Sequence, residues 1–353
     1  MTVEATLKDD VWIERNRLNA LAISLLEAHG ATAKHARIVA GHLVEADSRG
    51  VRSHGTVRLL QYVEEIRRGE LDPSAQPTVE VRRGQIFVDG NRTFGQVVGT
   101  VMVEELTSLA HEHGIAIAIG RRLGHTGRVG AYPELLARRG LVAIGASSGP
   151  PSGHWVAPFG GRDGRIATNP IAMAWPVMGE EPIIADFSTS ATPEGIIRVL
   201  RDRGLAAPGG ALRDADGALT TDPAVLYATP RGALQAFGGE LGYRGTALGL
   251  FVEVLATLLA GDAVDDADRV GSNLTVIAID PRQGFADLAA GLARHVRSSR
   301  PIDAARPVLM PGDRERAREI ESDAIPFDRR AWERLAAAAS EVSVELPSII
   351  GHD

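Results

Sequence analysis

The chain of 353 residues contains no cysteine. Disulfide bonds, zinc–thiolate sites and thiol nucleophiles are therefore excluded. Lysine is nearly absent too, because only Lys8 and Lys34 occur and arginine carries the remaining positive charge. With a net charge of −7 and scattered arginines, the sequence does not indicate a nucleic-acid partner.

Two glycine motifs for nucleotide binding are also missing. None of the 39 glycines is separated from another by a single residue, so even the G-x-G of the Rossmann fingerprint is absent. Neither lysine follows a glycine, which excludes a P-loop. A nicotinamide cofactor would have to be held by a different device.

Long hydrophobic runs are scarce. The N-terminal residues are polar and acidic, so we expect no signal peptide. The most apolar stretch, residues 246–261, carries Glu253 and is shorter than the ~20 residues that a bilayer requires. We interpret it as a buried helix, and we expect a cytoplasmic protein with no membrane partner.

Hydrophobic periodicity divides the chain into regions. Helices are predicted over 9–29, from a Thr32 cap to about Ser48, and from Thr56 to Gly69, so the first 75 residues are expected to be helical. Strands and helices then alternate, from a hairpin at 78–90 to a last helix over 328–342. This order predicts an α/β protein with a helical N-terminal region over 1–77, a mixed core over 78–320 and a C-terminal helix and tail over 321–353.

The first candidate site lies in "SRGVRSHGTVRLLQYVEEIRRGE", residues 48–70. Arg58 and Tyr62 follow His54 at steps of four, which places the three side chains on one face of a helix. Reduction of a 2-oxo acid needs a proton donor and an anchor for the carboxylate, and histidine and arginine serve these roles well. The alternative is a capped helix with a solvated arginine.

A second histidine, His125, lies in a glycine-rich loop between a predicted strand and helix. Ligands of α/β proteins gather at such strand ends, and exposed N–H groups at a helix start favour anions. The alternative is a surface histidine in a flexible turn.

Two further stretches combine polar side chains with a following helix. Asp186, Ser188, Thr189 and Ser190 follow a predicted buried strand, where they can cap the next helix or bind ribose or phosphate. Tyr243 and Arg244 lie among glycines, which suits either phosphate binding or a tight turn. No spacing typical of a metal site or of a hydrolase serine stands out, so we expect no metal.

Several motifs in order resemble the malate/L-lactate dehydrogenase type 2 family, from about residue 10 to about 345. They include "ADSRGVRSHGTVRLLQYVEEIRRGEL", "VDGNRTFGQ", "GHTGRVGAY", "DFSTS", "DADGALTTDPA" and "MPGDRER". The resemblance implies a non-Rossmann, mixed-sheet fold like that of sulfolactate dehydrogenase. It also implies an NAD(P)H-dependent 2-oxo acid reductase and a homodimer whose active site uses both subunits. NAD and NADP both stay open as the cofactor, with NADH slightly favoured.

The resemblance also assigns residues. His54 is implied as the acid/base, with His125 as the competing candidate, and the other positions follow by function. The substrate is implied to contact Arg58 and Tyr62, and Ser53 beside His54 is a further candidate contact. The cofactor is expected to contact Thr168, Asn169, Ile184, Asp186, Ser188, Thr189, Ser190, Tyr243, Arg244, Gly312, Asp313 and Arg314.

Three departures from the family pattern leave the substrate open. Arg244 stands where the family has lysine, the loop at His125 reads "GHTG", and His154 is added near the expected pocket as a candidate substrate contact. Reduction of a cyclic imino acid, such as a piperideine or pyrroline carboxylate, is the alternative activity. A non-catalytic, cofactor-binding dimer is a third hypothesis.

Overall fold

The computed structural model describes residues 10–321 and 323–350. In this part of the chain the strands are β1 (Asp10–Glu14), β2 (Thr78–Arg82), β3 (Gln85–Asp89), β4 (Ile115–Leu123), β5 (Val142–Ser148), β6 (Pro170–Val177), β7 (Glu180–Ser188), β8 (Leu212–Arg213), β9 (Leu219–Thr220), β10 (Ala233–Leu234), β11 (Ser272–Ile279) and β12 (Ala324–Asp328). The helices are α1 (Arg15–Ala28), α2 (Ala33–Ser48), α3 (Arg58–Arg67), α4 (Gly95–His113), α5 (Ala131–Arg138), α6 (Glu194–Asp202), α7 (Gly242–Glu253), α8 (Phe285–Arg297), α9 (Asp313–Glu321) and α10 (Arg329–Glu341).

The centre of the molecule is a seven-stranded sheet in the order β2-β3-β4-β11-β5-β6-β7. Its pairs are antiparallel except for β3 and β4, which run parallel. Helices α4 and α5 pack on the sheet and bury Met102, Leu106 and Leu136. A Rossmann sheet is mostly parallel, so the predicted non-Rossmann, mixed-sheet fold is confirmed.

The prediction of helix over 9–29 is wrong at its start. Residues Asp10–Glu14 form β1, which pairs antiparallel with β12 at the other end of the chain, and α1 begins at Arg15. Val11 and Ile13 are buried by this pairing. Its partner lies more than 300 residues away, so local periodicity cannot reveal it.

The pairing joins the two ends of the chain in one core. Leu18, Leu25 and Leu43 of the first helices pack in the same cluster as Trp332 and Leu335 of α10. Thr32 caps α2 as predicted, by accepting the backbone N–H of His35. The core thereby fixes the segment after α2, which carries His54.

The third predicted helix begins later than expected. Residues Arg52–His54 form a separate 3₁₀ turn, and α3 begins at Arg58 instead of Thr56. Thr56 is held by Asp47 in the turn between them, since its backbone N–H and its hydroxyl both donate to that carboxylate, at 2.7 and 2.6 Å. His54 therefore precedes the helix that carries Arg58 and Tyr62.

The apolar segment near residue 250 is buried on one side only, which corrects the expectation of a buried helix. Helix α7 continues into a π-helical turn, Val254–Leu258, which packs against β5 and β11. On the opposite side Leu250, Phe251, Val254 and Leu258 are between 41 and 53% exposed.

This segment, Gly239–Leu258, is long and apolar enough to cross a bilayer by length and composition. Its Glu253 is buried against the sheet, however, where it accepts hydrogen bonds from Ser148, Asn169 and Thr257. A carboxylate held in this way is typical of a core helix with one open face.

Candidate active site

A cavity of about 1980 Å³ lies between the part of the molecule formed by β1, β12 and α10 and one edge of the central sheet. It is walled by the 3₁₀ turn Arg52–His54, the end of β7, the start of α6, the segment 309–318 and the helix α10. Pockets for one small ligand typically measure ~300–1,000 Å³. This cavity is therefore large enough for a dinucleotide and a second, smaller molecule together.

The cavity wall is rich in arginine although the protein as a whole is acidic. Ten arginines line it against six carboxylates. Several of these arginines are paired, as in the contacts of Arg203 with Asp10 and Asp328. The guanidinium groups on the wall can donate to anionic ligands, namely phosphates and carboxylates, while carboxylates behind the wall, such as Glu134 and Glu194, balance part of their charge.

His54 lies on the cavity wall, and His125 lies next to it. The two imidazole rings are stacked, with centroids 5.4 Å apart. The Ser53 hydroxyl is 2.9 Å from Nδ1 of His54, and the Tyr62 hydroxyl is 3.0 Å from Nδ1 of His125. The structure thus brings together four of the residues that the sequence analysis selected.

Arg58 lies beside this group and is tied to the 3₁₀ turn. Its Nε donates to the Ser53 carbonyl at 2.6 Å, and its Nη1 donates to Gln61 at 2.7 Å. Helix α6 approaches from the other side at Gly195, where a Cβ atom would lie 2.9 Å from the Cβ of Ser53 and 3.2 Å from Nη2 of Arg58. Only a glycine permits so close an approach at this point.

Burial and positive neighbours keep the histidines neutral. Burial, with the charges of Arg58 and Arg128, lowers the pKa of His54 to about 3. Burial and Arg58 also lower the pKa of His125 well below its usual value. An anion bound near Arg58 would offset that charge and raise both pKa values.

Asp47 is a site residue that the sequence analysis missed. Its carboxylate accepts both hydrogen bonds from Thr56, and burial raises its pKa to about 6 despite them. A Cβ atom at residue 55 would lie 1.7 Å from Oδ1 of Asp47, so the turn requires glycine there. Asp47 therefore holds the segment that carries His54. In the sequence, the feature that could have pointed to Asp47 is its position seven residues before His54.

A second omission is a buried ion-pair network on the cavity wall. Arg49 and Arg128 both donate to Glu134, and each also contacts Glu45. Although burial alone raises it, the bonds from the two arginines lower the pKa of Glu134 to about 2. His42 lies in this group and accepts the backbone N–H of Arg128 at 2.9 Å, with its own pKa lowered to about 3 by burial and by the charge of Arg128.

The residues selected for cofactor binding fall into two groups. Those that line the cavity are Thr168, Ile184, Asp186, Ser188, Gly312 and Arg314. Asp186 also accepts the backbone N–H of Gly130 at 2.9 Å, which links β7 to the start of α5.

The second group lies off the cavity wall. Asn169 is buried and donates to Gly249 and Glu253, while Thr189 and Ser190 bond to nearby carbonyl groups. Asp313 pairs with Arg297. Tyr243 and Arg244 are exposed at the start of α7, where the Arg244 Nε donates to the Tyr243 hydroxyl.

His154 also lies away from the cavity. It is 7% exposed, its carbonyl accepts a hydrogen bond from Arg231, and its ring is near Glu253 and Arg269. It is not among the residues that line the cavity. Within residues 10–321 and 323–350, no three His, Asp or Glu side chains are grouped to hold a metal ion.

Comparison with known proteins gives the class of the molecule. The family model described as malate/L-lactate dehydrogenase matches residues 13–336. A Δ1-pyrroline-2-carboxylate reductase 2 from Burkholderia multivorans is 34% identical over 343 residues, covering 93% of this chain and 98% of the relative. Hydroxycarboxylate dehydrogenase B from Escherichia coli K12 is 33% identical over 343 residues, covering 93% of each chain.

A solved structure agrees with these relatives. The crystal structure of a dehydrogenase from Sinorhizobium meliloti superposes with a TM-score of 0.86 at 34% identity, covering 94% of this chain and 99% of the other. The fold and the site therefore define an oxidoreductase of the malate/lactate dehydrogenase type. The chain belongs to the malate/L-lactate dehydrogenase family, as the sequence motifs indicated.

Proposed function

We propose that the protein is an NAD(P)-dependent 2-hydroxy acid dehydrogenase that interconverts a small 2-oxo acid and its 2-hydroxy acid. The observation that carries the proposal is the arginine-rich cavity with His54 on its wall and Arg58 beside it. Such a cavity offers room for a dinucleotide, charge for its phosphates and a proton-transfer group next to an anchor for a carboxylate.

Arg58 is the proposed anchor of the substrate carboxylate. Its Nε and Nη1 are held by Ser53 and Gln61, while Nη2 makes no hydrogen bond with the described residues and faces Gly195. A guanidinium fixed at two of its nitrogens is oriented in advance, which lowers the entropic cost of binding an anion.

His54 is the proposed proton donor. Its Nδ1 faces the Ser53 hydroxyl, which can accept a hydrogen bond, so a protonated His54 ring finds a partner. Nδ1 of His125 instead faces the backbone N–H of Gly127 at 3.3 Å, a group that can only donate. Protonation is therefore easier at His54, and His125 serves as a neutral hydrogen-bond donor to the substrate oxygen.

Substrate binding itself would prepare the proton donor. Burial and the Arg58 charge lower the pKa of His54 to about 3. A carboxylate on Arg58 offsets that charge, so the pKa rises when the substrate enters. The donor is then charged mainly in the complex, where the proton is needed.

A nicotinamide dinucleotide fits the residues present, since the cavity has the volume and the positive charge that its phosphates require. Ile184 and Ser188 of β7, with Gly312 and Arg314, are the proposed contacts on the cavity wall. When bound, the reduced nicotinamide supplies the hydride. NADH is the preferred cofactor in this proposal, with NADPH as the alternative.

A cyclic imino acid is the second candidate substrate. The observation that favours it is the similarity to a Δ1-pyrroline-2-carboxylate reductase, at 34% identity over 93% of this chain. Such a substrate also carries a carboxylate for Arg58, and the proton from His54 would go to nitrogen instead of oxygen.

We further propose a homodimer in the cytoplasm. The open face of α7, with Leu250, Phe251, Val254 and Leu258, is an apolar surface of the kind that monomers rarely expose. A second copy of this chain is its proposed cover. Tyr243 and Arg244 lie at the start of the same helix, so pairing there would bring them next to the partner.

One assay tests the function directly. The purified protein is mixed with NADH or NADPH and a panel of 2-oxo acids and cyclic imino acids, and the loss of the near-ultraviolet absorbance of the reduced cofactor is recorded. We expect turnover with at least one small 2-oxo acid. Turnover of cyclic imines alone would replace the leading proposal by the second one.

A further inference from the structure

Within the part of the chain that the structure describes, the His125 ring is hydrogen-bonded at one nitrogen. Nδ1 lies 3.0 Å from the Tyr62 hydroxyl and 3.3 Å from the backbone nitrogen of Gly127. Nε2 makes no hydrogen bond with the described residues and is not among their buried unpartnered atoms. Nε2 is thus the nitrogen that is left for a substrate.

The backbone N–H of Gly127, 3.3 Å from Nδ1 of His125, favours one tautomer of the ring. This N–H can only donate, so Nδ1 accepts and the neutral ring carries its hydrogen on Nε2. In that tautomer the Tyr62 hydroxyl, 3.0 Å away, donates to Nδ1 as well. Burial raises the pKa of Tyr62, in keeping with a hydroxyl that retains its proton.

The chain of donors ends at Gln96 in helix α4. Its Nε2 donates to the Tyr62 hydroxyl at 2.7 Å. Because the hydroxyl gives its hydrogen to His125, it needs a donor on its other side, and the amide can supply one. The Gln96 side chain is fully buried, and its Oε1 has no partner among the described residues, so the Tyr62 contact is the interaction that its amide makes.

We propose that Gln96 is a positioning residue that acts through Tyr62 to hold His125 in the tautomer that presents Nε2–H to the substrate oxygen. Gly127, which bonds to His125, has a positive φ of +68°. A Cβ atom at this position would lie 2.4 Å from Nε2 of His42 and 3.1 Å from Nε2 of Gln96, so glycine is required here. The proposal rests on the proposed function for the role of His125, but the tautomer is a property of the unliganded protein.

The first test is nitrogen NMR of the unliganded protein labelled with ¹⁵N-histidine, with the His125 signals assigned by comparison with a His125→Gln variant. We expect an unprotonated Nδ1 and a protonated Nε2 in the wild-type protein. In Gln96→Met, the Tyr62 oxygen loses the amide that donates to it and can accept from Nδ1 of His125, so the signals should move towards the other tautomer. A wild-type ring with its proton on Nδ1 would overturn the proposal.

The second test is a double-mutant cycle with Gln96→Met and Tyr62→Phe. Loss of one neutral hydrogen bond should lower kcat roughly 3- to 10-fold in Gln96→Met, with little change in KM. If Gln96 acts through Tyr62, the double variant should be no slower than Tyr62→Phe alone. Additive losses would contradict the proposal.

The matched control is Thr100→Val, one turn along α4, whose hydroxyl donates to the Gln96 carbonyl at 2.8 Å. It should change neither the His125 signals nor kcat, and a Gln96→Met variant that behaves in the same way would also contradict the proposal. Absence of turnover on every substrate, with the expected NMR signals, would instead reject the proposed function and leave the hydrogen-bond chain established.

Discussion

Arg58 donates from Nε to the backbone carbonyl of Ser53 at 2.6 Å, so the proposed carboxylate anchor and the turn that carries His54 are one rigid piece. The two residues lie on different local elements, since Ser53 is in the 3₁₀ turn and Arg58 begins α3. Any change of the guanidinium therefore affects both the anchor and the position of the histidine.

This relationship predicts the effect of Arg58→Lys. Lysine keeps the charge but loses both the planar fork and the bond to Ser53. Loss of a charged hydrogen bond is worth ~1.5–3 kcal/mol, so we expect KM for the 2-oxo acid to rise by roughly 10- to 100-fold. Steady-state kinetics measure it. Arg68→Lys, at the exposed end of the same helix, is the control and should leave KM unchanged.

The sequence identified most residues of the site but not the tertiary contacts between them. Steps of four placed His54, Arg58 and Tyr62 on one helix, but His54 lies in a separate 3₁₀ turn before the helix, next to Thr56, which Asp47 holds. His125 joins them from the loop after β4. Local patterns report helix faces and strand periods, whereas these contacts depend on tertiary packing.

In the fold, too, locally determined elements could be predicted and those that depend on distant partners could not. The hairpin β2–β3 and the strands of the central sheet follow from local alternation, and the family motifs gave the mixed sheet. The strand β1 could not be predicted in this way, because its partner β12 lies at the far end of the chain. The helix α9 was also missed, since its charged sequence has little apolar periodicity.

Cofactor binding should separate the two groups of predicted contacts. Arg314 lines the cavity, so Arg314→Ala should weaken NADH and NADPH binding by roughly 10-fold or more, as expected for the loss of a charged contact. Arg244 lies outside the cavity of its own chain. Arg244→Ala should therefore weaken cofactor binding only if Arg244 reaches the cavity of a second copy of the chain. Fluorescence titration of both variants measures this. Unchanged affinity in Arg244→Ala would remove Arg244 from the site.

The open face of α7 predicts how the dimer can be broken. Leu250→Glu places a charge in the proposed interface, where burial of an unpaired carboxylate is costly, so light scattering at micromolar concentration should show a monomer. Leu288→Glu is the matched control, because Leu288 is 76% exposed on α8 and should leave the mass at that of a dimer. A fully active wild-type monomer would refute the proposed assembly.

The buried histidines predict a loss of stability in acid. The pKa of His42 and of His54 falls from 6.5 to about 3 on folding, so the unfolded chain binds protons first as the pH drops. Their contribution to stability is complete above about pH 6.5 and declines towards pH 3, by up to ~1.4 kcal/mol per histidine for each pH unit.

Asp47 opposes this trend over part of the range, because its raised pKa of about 6 makes the folded state bind a proton there. Urea unfolding at several pH values measures the sum. His42→Gln keeps an acceptor for the Arg128 N–H, so its stability should fall less steeply between pH 6 and pH 4. An unchanged slope would show that His42 is not a source of the acid sensitivity.

The last prediction distinguishes the two histidines. A hydride delivered to a carbonyl carbon leaves an alkoxide, which requires a proton, and general-acid assistance is typically worth ~10²–10⁴-fold in rate. His54→Ala should lower kcat by about that factor and leave NAD(P)H binding nearly intact. His125→Ala should cost less, because it removes a neutral hydrogen bond to the substrate oxygen, and His125→Asn should restore part of the rate by supplying an N–H donor.

The pH dependence of kcat decides between them. In the wild-type protein, kcat should depend on one group whose pKa rises when the substrate binds. That dependence should disappear in His54→Ala and remain in His125→Ala, because the ring of His125 faces the N–H of Gly127 and resists protonation. If His125→Ala instead abolishes turnover and flattens the profile while His54→Ala retains most of the activity, the proton comes from His125. The Ser53 hydroxyl would then serve to orient His54 as a hydrogen-bond partner.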